Sequence, residues 1–259
     1  MPPRIIFLHI PKTAGQSVHT ALVDGFGADA VCPARVNGQL TGMSRGELNR
    51  YQVFSGHLDW TALDEVDGPK YIFTVLREPV DRLLSFYFFL KNQASLLQPQ
   101  ELELPTNQGM KAVRELSAHE YFTGGPPHIR AFLDSHYDNF YTYFFAARHY
   151  RGYPVLRRQI EQKRLTPQRL LGMARENLAR LDGVFTVDNL GAVFDAIRAL
   201  APNPIAAEDR YRTNVNNETP REERLRRLRD FGATDETFLR IEHACELDRE
   251  LWRQFSASN

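Results

Sequence analysis

The stretch Arg4–Ser17, R-I-I-F-L-H-I-P-K-T-A-G-Q-S, sets a strand, a tight turn and a helix start around one lysine. Arg4–His9 is a short apolar run with β-branched and aromatic residues, the pattern of a buried strand. Pro11 then restricts the chain, and Gly15 permits a sharp turn or a close backbone approach. Ser17 stands where a helix begins, either as a donor to a ligand or as the helix N-cap. Backbone N–H groups at such a helix start point outward, and with Lys12 they make a compact site for an anion. The chemistry implied is phosphate or sulfate recognition.

A second unit of the same kind follows. Lys70–Leu76, K-Y-I-F-T-V-L, is the clearest strand in the chain and is apolar enough for both faces to be buried. It runs into R-E-P, with Pro79 suited to a first helical turn, and then into the helical pattern V-D-R-L-L-S-F-Y-F-F-L-K. In a parallel sheet the Lys12 and Arg77 turns emerge at one edge, where ligands usually bind. Between them Gln52–Ser55 reads as a short strand ending at Gly56-His57.

Past Asn92 the pattern weakens. Q-P-Q-E-L-E-L-P suggests a loop, Met110–Tyr121 is helix-compatible, G-G-P-P is a break and His128–Ser135 suits a short helix. Tyr137–Phe145 is dense in aromatics, and its periodicity does not choose between helix and strand. Helices are expected at Val155–Lys163 and Pro167–Leu181, a strand at Gly183–Val187, and an amphipathic helix at Leu190–Leu200. A polar loop, Ala201–Thr219, leads to two closing helices, Pro220–Phe231 and Asp235–Phe255. There is no internal repeat and no linker of clean composition, so one domain over residues 1–259 is expected, with a mainly helical region at about 92–181.

Composition narrows the function classes. The net charge is formally zero, which argues against a general nucleic-acid binder. Nine Arg/Lys against two Glu between Arg148 and Arg180 make a local excess, either a groove for an anionic substrate or a solvated helix face. Cys32 and Cys245 suit small core residues in a reducing compartment. With no signal-like or membrane-spanning segment, a cytoplasmic protein is expected. His119, His128, His136 and His149 are dispersed and form no H-E-x-x-H arrangement, so no metal is expected. A Walker A loop is missing, because Lys12 precedes Gly15 and no glycine stands upstream; a G-x-G-x-x-G fingerprint is missing too. A nucleotide-dependent phosphotransferase and a dinucleotide enzyme are therefore disfavoured.

H-I-P-K-T-A-G-Q-S (His9–Ser17) resembles the 5′-phosphosulfate loop of sulfotransferases that use 3′-phosphoadenosine-5′-phosphosulfate (PAPS). The style is closest to carbohydrate enzymes related to heparan sulfate 2-O-sulfotransferase. T-V-L-R-E-P-V-D-R-L-L-S-F-Y (Thr74–Tyr87) is similar to the 3′-phosphate motif of that superfamily. V-F-S-G-H-L-D-W (Val53–Trp60) resembles the G-H segment that supplies a catalytic histidine in the 2-O-sulfotransferase branch. Weaker echoes are N-V-N-N at Asn214–Asn217 and L-D-R-E-L-W at Leu247–Trp252. Gln16 departs from the pattern, since many relatives carry a small hydroxyl residue there.

The resemblance implies a P-loop-like three-layer α/β fold, with a central parallel sheet and helices on both faces. It also implies sulfuryl transfer from PAPS to a hydroxyl, giving adenosine 3′,5′-bisphosphate, with a carbohydrate, possibly an anionic glycan, as the first expectation for the acceptor. Lys12 would bind the phosphosulfate and steady the leaving oxygen. Thr13, Ala14, Gly15, Gln16 and Ser17 would complete that loop, and Arg77 and Ser85 would hold the 3′-phosphate. His57 would act as general base, with Gly56 letting the backbone approach substrate. His9 reads as structural, Phe86–Phe89 as core, and Arg82 as a partner for Asp81, for Glu78 or for solvent. Asp59 is close enough in sequence to orient a neighbour. A small non-carbohydrate alcohol as acceptor, and a non-catalytic binding module, are the remaining alternatives.

Overall fold

In the computed structural model, which describes residues 2–211 and 219–256, four strands form one parallel sheet. They are β1 (Arg4–Leu8), β2 (Val53–Gly56), β3 (Lys70–Leu76) and β4 (Gly183–Thr186), in the order β2-β1-β3-β4. Leu8 lies opposite both Gly56 and Thr74, so β1 and β2 end level and β3 runs two residues further, to Leu76 opposite Thr186. The loops carrying Lys12, His57 and Arg77 therefore leave the sheet along one edge.

Side-chain alternation builds the layers. Ile5 and Phe7 join Val53, Phe73 and Val75 on one face, beneath helix α1 (Gly15–Phe26) and the helix Leu190–Leu200. Ile6 and Leu8 join Phe54 and Leu76 on the other, beneath the helices Phe140–Ala147 and Pro167–Leu178. Helices thus cover both faces of a parallel sheet, in the three-layer P-loop-like arrangement.

The undecided aromatic stretch is the helix Phe140–Ala147, and nearly all of it is buried. An apolar helix covered on every side has no polar stripe, which is why periodicity was silent. Its start is held by Asp248, whose carboxylate accepts the backbone N–H of Tyr141 at 2.9 Å and of Thr142 at 2.8 Å. Met110–Tyr121 is not one helix. Ser117 and Glu120 form a capping box that starts a new helix, Ala118–Thr123. Asp235–Phe255 likewise divides into Asp235–Ala244 and Glu246–Ser256, with the Asn139 side chain accepting the N–H of Leu247 at 2.8 Å. The expected loop Q-P-Q-E-L-E-L-P contains a one-turn helix, Pro99–Leu102.

The helical stretch at 92–181 serves two cores. Its first half packs with the helix Pro79–Leu96 and the C-terminal helices Arg221–Asp230 and Asp235–Ala244, while its second half covers the sheet. Cys32 and Cys245 are buried and free. Among the described residues no helix is long and apolar enough to cross a membrane. The N-V-N-N segment lies outside the described residues.

Candidate functional site

The Lys12 turn carries backbone strain at two non-glycine residues. Lys12 has φ 71° and Ala14 φ 59°, both left-handed, at a typical cost of roughly 1–2 kcal/mol each. Gly15 does not take the sharp turn. It is the first residue of α1, and a Cβ there would stand 1.6 Å from the His9 ring. Of the two expectations for Gly15, close approach is the one that holds, and what approaches is His9.

Ser17 is not the N-cap, because Ala14 occupies that position with no side-chain cap; Ser17 lies within the first turn and is buried. The Thr13 hydroxyl donates to the Ile10 carbonyl at 2.9 Å, which leaves its backbone rather than its hydroxyl proton for a ligand. Gln16 is exposed, its amide 3.5 Å from the Thr20 hydroxyl. The start of α1 therefore keeps its backbone donors uncapped, beside the Lys12 ammonium.

That ammonium sits 4.3 Å from the centre of the Phe89 ring. Burial, with the Arg77 charge second, lowers its pKa to about 8. Arg77 is fixed at its backbone: its N–H donates to the Tyr141 hydroxyl at 3.0 Å, and its carbonyl accepts from the same hydroxyl at 2.9 Å. The Arg77 guanidinium reaches the Ser85 hydroxyl at 3.4 Å, so the two residues eight apart in sequence meet.

Lys12 and Ser85 line a pocket of about 200 Å³ that also receives Phe88, Phe89, Arg224 and Arg227. Phe89 is 41 % exposed and faces this pocket rather than the core expected of it, while Phe88 packs against the core beside Tyr87 and also lines the pocket. Arg224 and Arg227 come from the helix Arg221–Asp230, tied to the Pro79–Leu96 helix by Arg224 to Asp81 at 3.4 Å and Arg221 to Glu78 at 3.3 Å. Arg227 lies 5.0 Å from the Phe88 ring centre. Sequence reading missed both arginines, since a run of R-E-E-R-L-R-R looks like any solvated helix.

Residues 2–246 match the model of the sulfotransferase family. The chain belongs to that family. A search of curated proteins gave no match.

At the other side of the sulfotransferase turn stands His57. Its Nδ1 is 2.8 Å from the His9 carbonyl, which requires Nδ1 to carry the proton and leaves the Nε2 lone pair free. Burial lowers its pKa against the opposing effect of that hydrogen bond, with the Arg35 charge adding to the lowering. The ring stacks on His9 with centroids 4.3 Å apart. His9, more strongly buried, is held well below the usual histidine range and stays neutral. Gly56 makes room not for substrate but for the chain itself. A Cβ there would stand 2.5 Å from the Arg35 carbonyl, the same oxygen that accepts the His57 N–H at 2.8 Å.

Tyr150 completes the histidine's surroundings, and sequence reading did not find it. Its hydroxyl donates to the His9 carbonyl and lies 3.3 Å from His57 Nδ1. Asp59 does not touch His57; its carboxylate accepts the Tyr150 N–H at 2.7 Å and contacts His149 Nε2 at 2.8 Å. Arg82 pairs with neither Asp81 nor Glu78. It is buried under the Phe140 and Tyr141 rings, 4.8 Å and 5.3 Å from their centres, and donates to the His136 carbonyl at 3.0 Å. No group of three or more metal-ligating side chains occurs among the described residues.

Four of the nine cations in the Arg148–Arg180 excess are in ion pairs: Arg148 with Asp64, Arg157 with Glu161, Arg169 with Glu176 and Arg175 with Glu250. For the exposed Arg157 and Arg169 the solvated-face reading applies, while Arg148 packs over the Trp60 ring at 4.4 Å.

Proposed function

We propose that the protein transfers a sulfuryl group from PAPS to a hydroxyl of an acceptor, releasing adenosine 3′,5′-bisphosphate. The observation that carries this reading is the convergence of an uncapped helix start, Lys12 and the Arg77–Ser85 pair on the sheet edge that also presents a neutral His57. The fit to an anionic nucleotide rests on the cations themselves. Burial first and the Arg77 charge second lower the lysine pKa, and anionic oxygens between the two cations would relieve both costs. Lys12 and the backbone of Thr13, Ala14, Gly15, Gln16 and Ser17 would hold the 5′ end, and Arg77 with Ser85 the 3′-phosphate. Arg227 and the Phe88–Phe89 rings line the same pocket and would add charge and a flat wall to the nucleotide site.

When bound, PAPS supplies the sulfuryl group. The protein's own part is electrostatic and acid–base. The Lys12 ammonium neutralises charge developing on the leaving oxygen. His57 Nε2 accepts the proton of the acceptor hydroxyl, its tautomer set by the His9 carbonyl. Tyr150, on the same carbonyl, holds that geometry from the far side. No metal is needed for this assignment. The resemblance to carbohydrate enzymes makes a sugar hydroxyl the leading acceptor, met by the helical region at about 92–181, with the whole chain working as one domain.

His57→Ala tests the assignment. Bisphosphate affinity, measured by calorimetry, should stay near that of the unaltered protein, while transfer at saturating PAPS falls roughly 10²–10⁴-fold. Near-normal transfer in folded His57→Ala protein removes His57 from the mechanism.

A further inference from the structure

Arg35 stands on the far side of His57 from Arg77. Its segment runs along the outer edge of β2: Val31 bridges to Val53 and Val36 to His57, both in parallel, and the Arg35 carbonyl accepts the His57 N–H at 2.8 Å. That bond belongs to the backbone and makes no use of the guanidinium. The side chain is half-buried and turns to His19 on α1, whose Nδ1 accepts a guanidinium N–H and lies 3.1 Å from the Ser55 hydroxyl. Ser55 is paired with Phe7, so the two point to the same face. The Phe7 ring stacks on His9 and His9 on His57, at 5.3 Å and 4.3 Å between centres. The guanidinium therefore lies on the α1 face of the sheet, beside the row of rings that ends at the base and the Lys12 turn.

Like Lys12 and Arg77, Arg35 makes no ion pair among the described residues. Its partner is a neutral ring: burial first and the Arg35 charge second bring the His19 pKa down to about 4. Burial lowers the Arg35 pKa as well. A half-buried guanidinium on a neutral acceptor has given up water without gaining a counter-charge, a deficit that a bound anion removes. The field of this cation falls on both His9 and His57, and that of Lys12 falls on His9 too.

The donor has one anionic part without a partner so far. Arg77 and Ser85 are given to the 3′-phosphate, and Lys12 with the start of α1 to the 5′ end. As in phosphoryl transfer, the attacking and leaving oxygens lie on opposite sides of the group transferred. That group then belongs between Lys12, which meets the leaving oxygen, and His57, which meets the attacking one. Resting on the sulfotransferase reading, we propose that Arg35 is a third cation of the site and binds the sulfuryl oxygens, exchanging the His19 ring for them. Its planar fork can hold two of those oxygens at once. The sulfur–oxygen bond to phosphate breaks with its electron pair left on the phosphate oxygen beside Lys12. The acceptor oxygen bonds to sulfur, and its proton passes to His57. Arg35 holds the oxygens that keep their charge throughout.

The test needs no acceptor. PAPS and adenosine 3′,5′-bisphosphate differ by the sulfuryl group alone, so their affinities for the whole protein separate its contacts from the rest. Calorimetry on Arg35→Ala should find PAPS weakened by roughly tenfold or more, the effect of one lost charge-assisted contact. Bisphosphate affinity should stay within about twofold of the unaltered protein, which also shows that the variant is folded. Arg35→Gln, which keeps a donor for His19 but no charge, should give the same split. In the unaltered protein, PAPS should protect Arg35 from phenylglyoxal, read by mass spectrometry, more than the bisphosphate does, and this decides the matter if neither variant folds. Equal loss of both ligands, loss of neither, or equal protection by the two overturns the proposal and leaves the sulfotransferase reading standing. Failure of the unaltered protein to bind either ligand overturns that reading and this one together.

Discussion

The two strand–turn–helix units at the sheet edge look alike in sequence and are built differently. At Lys12 the turn is strained at two residues, and the helix that follows has no side-chain cap. At Arg77 the backbone is relaxed. Glu78 caps the helix by accepting the Asp81 N–H at 2.8 Å, Pro79 fills its first position, and Tyr141 occupies the Arg77 N–H and carbonyl. A helix whose first donors meet its own carboxylate is a poor anion site. The first unit can therefore offer an anion its backbone, whereas the second offers only the Arg77 and Ser85 side chains. On the function proposed above, the first turn would meet charge that changes during the reaction and the second charge that stays fixed.

The largest expected effect separates these roles. Lys12→Ala should lower the rate of transfer at saturating PAPS by roughly 10²–10³-fold, the usual effect of losing a donor at a developing anion. Arg77→Ala should weaken bisphosphate binding by about 1.5–3 kcal/mol and leave the saturated rate far less affected. Steady-state kinetics with calorimetry decides. If both variants lose affinity and rate in the same proportion, the comparison breaks.

Next in size is a pH effect confined to the Lys12 turn. Lys12 titrates at about 8 in the free protein. A bound anion raises that value, so the protonated lysine favours binding and Lys12 takes up a proton as the bisphosphate binds above pH 8. Affinity should be full below that pH and decline above it. Lys12→Arg, always charged, should abolish the decline. Proton uptake is read from calorimetry in buffers of different ionisation enthalpy, and pH-independent affinity in the unaltered protein would contradict the assignment.

The smallest effects are on stability and have opposite signs. Glu78→Ala removes a helix cap and should cost about 1 kcal/mol. Ala14→Gly relieves a left-handed residue and should stabilise by up to about 1 kcal/mol. Denaturant unfolding measures both, and loss of stability in Ala14→Gly would mean that the strain is not there.

The fold was readable where local chemistry sufficed. β1 and β3 are apolar runs closed by proline or glycine, and Pro79 announces its helix. The Ser117-x-x-Glu120 box that divides the Met110–Tyr121 stretch was also present in the sequence, hidden by helix-compatible residues on both sides. Other features depend on distant partners and leave no local mark. Gly15 is demanded by a ring six residues back, Gly56 by the Arg35 carbonyl, and Asp59 by the loop carrying Tyr150. Arg227 and Tyr150 reach the site only because tertiary packing places their helix or loop beside it.

Asp248 gives the assembly of this enzyme an order in time. Its carboxylate starts the Phe140–Ala147 helix, and Tyr141 on that helix locks the backbone of Arg77. A chain emerging from the ribosome can pair β1 with β3 early, as N-terminal parts commonly fold first. Yet Arg77 stays unlocked until the last helix has been made and has docked. The backbone of Arg77 is thus fixed late, and a half-made chain carries the motifs of its candidate site without their finished geometry.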